Sequence, residues 1–152
     1  MAILYWTGES STDFDDDDNW VDLVLQTIED AVSPVAGDSI VFSTGAPVPD
    51  GSHNLILVQA DIPAGNLHDI TIMKTFTEQI QTNGNATINL DGALSIDRAA
   101  CLKATSSGTL TFDFNGSPSI TTYDGTGSAY SRLALVNYGA NLVSSGPTPF
   151  VD

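Results

Sequence analysis

Basic residues are almost missing from this chain: four Lys and Arg stand against nineteen Asp and Glu, a formal charge of −15. Residues 1–73 hold neither Lys nor Arg, yet carry thirteen of the nineteen acids. Such a chain is repelled by nucleic acid and by anionic membrane, so neither is expected as a partner. Basic protein surfaces and divalent cations remain. Cysteine is scarce too. The single Cys101 excludes an intrachain disulfide, and beside Leu102 it reads as a small buried residue, not a reactive thiol or metal ligand. No apolar run approaches the roughly 18 residues of a membrane span. The opening Met1-Ala2-Ile3-Leu4-Tyr5-Trp6 has no basic leader, which points to a chain made and folded in a cytoplasm. Charge of either sign is low at 15%, and Ser, Thr, Asn and Gly take over the surface.

What is present is a row of short alternating segments between Asn66 and Tyr138. Leu67–Ile72, Ala86–Leu90, Ala93–Ile96, Gly108–Phe114, Ser119–Thr121 and Arg132–Leu135 each have period two, one face wet and one dry. Turn residues separate them, and Asp91-Gly92 and Asn115-Gly116 are read as tight reversals with positive φ. Ile72, Leu90, Phe112 and Leu135 follow one another at 18, 22 and 23 residues. A recurrence of about 20 residues is how stacked coils look in sequence, because each coil buries its apolar side chains against the next. The expected class is all-β: a short β-solenoid or a jelly-roll-like sandwich. The 152 residues fit one β-rich domain over 13–145, with an N-terminal strand or arm at 1–12 and an extended tail at 146–152.

Several stretches carry candidate chemistry. Ile3, Leu4, Tyr5 and Trp6 read either as an arm that pairs with a neighbouring subunit or as a first strand that closes the core. Asp13, Asp15 and Asp17, within an acidic run that ends at Asn19, are a candidate Ca²⁺ site, since that ion takes six to eight oxygen ligands. The EF-hand pattern fails there: Asp18 stands where Gly is needed and Val24 where Glu is needed. A solvated acidic loop and a contact for a basic partner are the competing readings. Over residues 20–32 a short helix is favoured by Val21, Val24, Leu25, Ile28 and Val32, although Val21–Leu25 also alternates like a strand. His53 and His68 are read as turn histidines more readily than as a metal pair. Pro149, Phe150 and Val151 end a proline-stiffened tail as an apolar anchor for docking on a neighbouring chain or on its own core.

Trp6-Thr7-Gly8, Asn19-Trp20 and Pro34 with Gly37-Asp38, followed by an apolar strand ending at Phe42, carry a resemblance. The pattern is similar to the opening module of many β-helical surface and virion proteins, including bacteriophage structural proteins and autotransporter-like repeat proteins. It covers about the first 45 residues. The span before Pro34 is apolar where the pattern usually has a Gly/Ser-rich loop.

The resemblance implies a non-enzymatic virion structural protein. Its most concrete form is a capsid decoration (cement) protein on the outer surface of an assembled shell, bound to the major capsid protein and to copies of itself as a homotrimer. No cofactor is expected beyond the Ca²⁺ candidate. The alternative is a glycan-binding tail-fibre or adhesin module using Tyr123, Tyr130 and Tyr138 with Asp124. An enzyme reading has only Asp91, Asp97 and Arg98 to offer, and four basic residues make a poor site for a polyanionic substrate.

Overall fold

The computed structural model describes residues 1–22, 32–44, 53–73, 75–96, 102–103, 110–115, 120–122 and 133–138. Read in chain order, its strands visit three sheets in turn. β1 (Ile3–Trp6), β2 (Trp20–Asp22) and β3 (Ser39–Phe42) lie in the first sheet, and β4 (Leu55–Leu57) opens the second. β5 (Ile70–Ile72) returns to the first, β6 (Ile80–Thr82) to the second, and β7 (Ala86–Leu90) opens the third. β8 (Leu94–Ile96), β9 (Leu102–Lys103) and β10 (Leu110–Asn115) repeat the same circuit. β11 (Ile120–Thr122) and β12 (Leu133–Tyr138) come back to the first and third sheets. The fold is all-β, as expected.

Each passage through the sheets, one coil, pairs with the coil before it. Leu4, Ile40, Ile70, Leu94 and Ile120 are in register across the first sheet. In the third sheet Ile88, Phe112 and Leu135 are in register. Among the described residues every strand pairing is parallel except β1 with β2. Jelly rolls are built from antiparallel pairs.

The alternation of the sequence explains the burial. Strand residues with apolar side chains point inward and are buried, and the intervening Thr, Ser, Gln and Asn point out. Leu4, Ile40, Ile70 and Leu94 form one inward row, and Trp6, Phe42, Ile72 and Ile96 form the next. Leu55, Leu57 and Ile80 face them from the second sheet, with Ala86, Ile88, Leu90, Leu110, Phe112 and Phe114 facing from the third. Burying one such aliphatic side chain contributes about 1.5–3 kcal/mol before the entropy of ordering is counted.

Three expectations are corrected. First, the recurrence is longer. Ile40, Ile70, Leu94 and Ile120 lie 30, 24 and 26 residues apart, because the chain passes through the second sheet and, from β5 on, the third, with their corners, before it returns to the first. The 18-residue step from Ile72 to Leu90 joined two different sheets. Second, Trp20–Asp22 is strand and not the start of a helix: it pairs antiparallel with β1, Trp6 opposite Trp20 and Leu4 opposite Asp22. Burial of Trp20 and Val21 against the core outweighs the helical spacing; residues 23–31 lie outside the described residues. The only helical element among the described residues is a 3-10 turn, Asp17–Asn19. No helix there is long and apolar enough to cross a membrane. Third, Asp91-Gly92 is not a positive-φ reversal. Among the described residues, the glycines with positive φ are Gly8, Gly37 and Gly84. Asp91-Gly92 is instead a corner where the chain passes from the third sheet to the first.

Candidate functional site

The first coil is closed by a cap, and a shallow groove lies against it. Trp6 and Trp20 meet edge to face at 5.2 Å between ring centroids, Phe14 meets Trp20 at 5.1 Å, and Phe42 lies 6.1 Å from Trp20. The Trp20 indole N–H donates to the carbonyl of Phe14 at 2.7 Å, so its one polar atom is satisfied inside the core. Asn19 is completely buried and holds the cap loop together. Its side-chain oxygen accepts from the backbone N–H groups of Ser10 and Ser11, each at 3.0 Å. Its amide donates to Ser11 Oγ and to the Asp13 carbonyl, each at 2.9 Å. Gly8 sits at φ 59°, and a Cβ there would lie 2.8 Å from the His53 carbonyl oxygen. The ring of His53 in turn meets the Gly8 carbonyl through Nδ1 at 2.6 Å.

Asp38 ties the chain start to the first coil. Its Oδ1 accepts from the Ala2 N–H at 2.7 Å, and its Oδ2 from the Val35 N–H at 3.2 Å. The Met1 ammonium is 3.9 Å from Oδ1. Gly37, at φ 91°, completes this turn and donates its N–H to the Asn66 carbonyl at 2.8 Å. Trp6, Gly8, Asn19, Trp20, Gly37 and Asp38, the residues of the opening motif, therefore all serve one structural job at one end of the stack.

The groove has a volume of about 470 Å³ and runs between the cap loop, residues 34–36 and residues 60–65. Pro34, Val35, Ala36, Pro63 and Ala64 line it, together with Asp15 and Asp61. Ile62 is buried and anchors the 60–65 loop, while Gly65 lets that loop lie on Ala36, since a Cβ at Gly65 would fall 2.6 Å from the Ala36 Cβ. Burial, with the nearby charges of Asp15 and Asp13, raises the Asp61 carboxyl above its ordinary pKa. Sequence reasoning missed this groove because Asp15 and Asp61 are 46 positions apart, and nothing in 60–65 marks a site.

A second polar cluster sits at the corner between the third and first sheets. His68 Nδ1 lies 3.1 Å from Asp91 Oδ1 on the next coil, and its Nε2 lies 3.9 Å from Asp69 Oδ2. The hydrogen bond to Asp91, then the charge of Asp69, raises the His68 pKa. Asp69 Oδ1 also accepts the Ala93 N–H at 2.6 Å.

The residues singled out in the sequence are placed as follows. Leu4 and Trp6 are buried within their own core, and β1 has a partner strand on each side. Of the four residues read as partner-binding, only Ile3 and Tyr5 reach the outer face. Asp13, Asp15 and Asp17 do not converge. Among the described residues no group of three or more His, Cys, Asp or Glu could hold a metal ion. The acidic run is used locally instead. Asp17 Oδ1 accepts from the Ser33 N–H at 2.7 Å, and Asp16 Oδ2 accepts from Ser11 Oγ at 2.6 Å. The Ser11 hydrogen bond lowers the Asp16 pKa against the opposing effect of burial. His53 and His68 have separate partners and form no pair. Asp97, Arg98, Cys101, Tyr123, Asp124, Tyr130, Pro149, Phe150 and Val151 lie outside the described residues. Comparison with known proteins found no matching family model, no matching curated protein and no matching solved structure.

Proposed function

We propose that this chain is a non-enzymatic structural protein of a virus particle: a capsid decoration protein that binds the outer surface of an assembled shell and associates as a homotrimer. We also infer that its stack of parallel coils is a short β-solenoid. The observation that carries the reading is the cap. The residues behind the resemblance to β-helical surface and virion proteins act together, as an opening module would, to close the end of a coil stack. Two further features support it. The acidic surface suits the outside of a particle filled with nucleic acid and a contact with basic protein. Binding only the assembled shell stabilises that shell by mass action.

The test has two parts. Native mass spectrometry should give three copies per particle of free protein. Co-sedimentation with candidate shells should show saturable binding that falls when Ile3 and Tyr5, on the outer face of β1, are both changed to Asp, or when residues 146–152 are removed. A monomer in solution whose shell occupancy ignores both changes would sink the proposal.

A further inference from the structure

We propose that the groove between residues 34–36 and 60–65 docks an arginine or lysine side chain that a partner protein presents on an apolar segment. Its walls are largely hydrocarbon, from Pro34, Val35, Ala36, Pro63 and Ala64. Val35 is 61% exposed, so its side chain is open to a ligand. Two acidic residues, Asp15 and Asp61, line the same groove from different loops. Among the described residues no hydrogen-bond donor and no cation reaches either one, and residues 1–73 contain no Lys or Arg to do so.

A ligand that satisfies this groove needs an apolar body and a cationic head. Arginine and lysine have that construction: their methylene stems lie along apolar surface while the head group stays polar. The planar guanidinium donates in several directions at once and suits two carboxylates better than a point charge does. A divalent cation fits poorly. Ca²⁺ wants six to eight oxygens, and the walls supply mostly carbon. Burial, and then the charges of Asp15 and Asp13, raises the pKa of Asp61, so a cation in the groove would meet a carboxyl that gains from its charge.

This inference does not depend on the virion reading, because any partner that offers such a side chain would dock. The experiment uses the full chain, isotope-labelled, titrated by NMR with the blocked tripeptide acetyl-Val-Arg-Val-amide. Its citrulline counterpart and calcium chloride alone are parallel arms. The arginine peptide should shift the amides of Val35, Ala36, Asp61 and Ala64 saturably, and the citrulline peptide should not. Asp15→Asn, a change at an exposed side chain that leaves the fold intact, should weaken binding by about fivefold, the size expected of a partly exposed ion pair. Asp15→Asn with Asp61→Asn should weaken it further, while Asp69→Asn should leave it unchanged. Absence of a saturable shift, equal binding of the citrulline peptide, indifference to Asp15→Asn, or saturation of the groove by calcium would each overturn the proposal. Failure here with normal shell binding would leave the virion reading standing; the reverse would remove that reading and keep the groove.

Discussion

Gly92 and Gly37 stand for two reasons a glycine is required. At Gly92 a Cβ would collide with the His68 carbonyl and with Asp69 Oδ1 of the preceding coil. Gly37 has open space but sits at φ 91°. Gly37→Ala should therefore cost about 1–2 kcal/mol, the backbone penalty alone. Gly92→Ala should cost more, because the corner below must move and the Asp69–Ala93 hydrogen bond with it. Urea denaturation of the two variants should rank them in that order. His68 contributes a pH dependence of known sign. Its pKa is raised in the folded chain above the ordinary 6.5 by Asp91 and Asp69. Its stabilising contribution is complete below the unfolded value and is lost as pH rises through the folded one. His68→Gln should flatten the change in Tm between about pH 5.5 and about pH 8 relative to the parent chain. Equal slopes would show that the corner pair adds nothing. Asn19 shows what was hard to read at this scale. It stood in a recognisable Asn-Trp pair, but its role as a buried hub appears only once Ser10, Ser11 and Asp13 fold around it.

Strands as short as three residues are not stable alone, and each here leans on at least one neighbouring strand of its sheet. β1 is the most consequential. Among the described residues it is the one strand that pairs parallel on one side, with β3, and antiparallel on the other, with β2. Deleting residues 1–8 would strip the Asp38 contacts to Ala2 and expose the edge of β3. That chain should fail to fold or should aggregate through the bare edge, as size-exclusion chromatography and circular dichroism would report. A soluble, cooperatively melting product would mean the stack closes without its cap. The alternation of Ala86–Leu90 and Leu110–Phe114 was legible because period two is a local property. Trp20–Asp22 was not, since a three-residue strand is too short to show a period and its placement depends on a partner fourteen positions earlier.

Charge is the dominant feature of the whole molecule. The net −15, with thirteen acids and no base in residues 1–73, loads one end of the stack with like charge. Self-repulsion of this kind weakens the compact state and is screened by salt, with a Debye length of about 10 Å at 0.1 M. Adding sodium chloride should raise Tm steadily over the range where screening of surface charge grows. A Tm that falls or stays flat would show that the acids are compensated locally. The same imbalance favours a cationic partner over self-association through acidic surfaces, which directs attention to the groove and to the uncharged outer face of β1.

Read as a string, the chain determined its class and its charge: alternating apolar residues in short runs, broken by turn residues, admit little but strands, and nineteen acids against four bases make it strongly acidic. These are local or additive properties and need no neighbour to be true. Only tertiary structure decided the length of a coil, the strand at Trp20–Asp22, the purpose of Gly92, and the groove that Asp15 and Asp61 line together. Each of those depends on which distant residues come to lie side by side, through antiparallel pairing with β1 for Trp20–Asp22 and through parallel stacking across 22 or more residues elsewhere, beyond the reach of any local pattern.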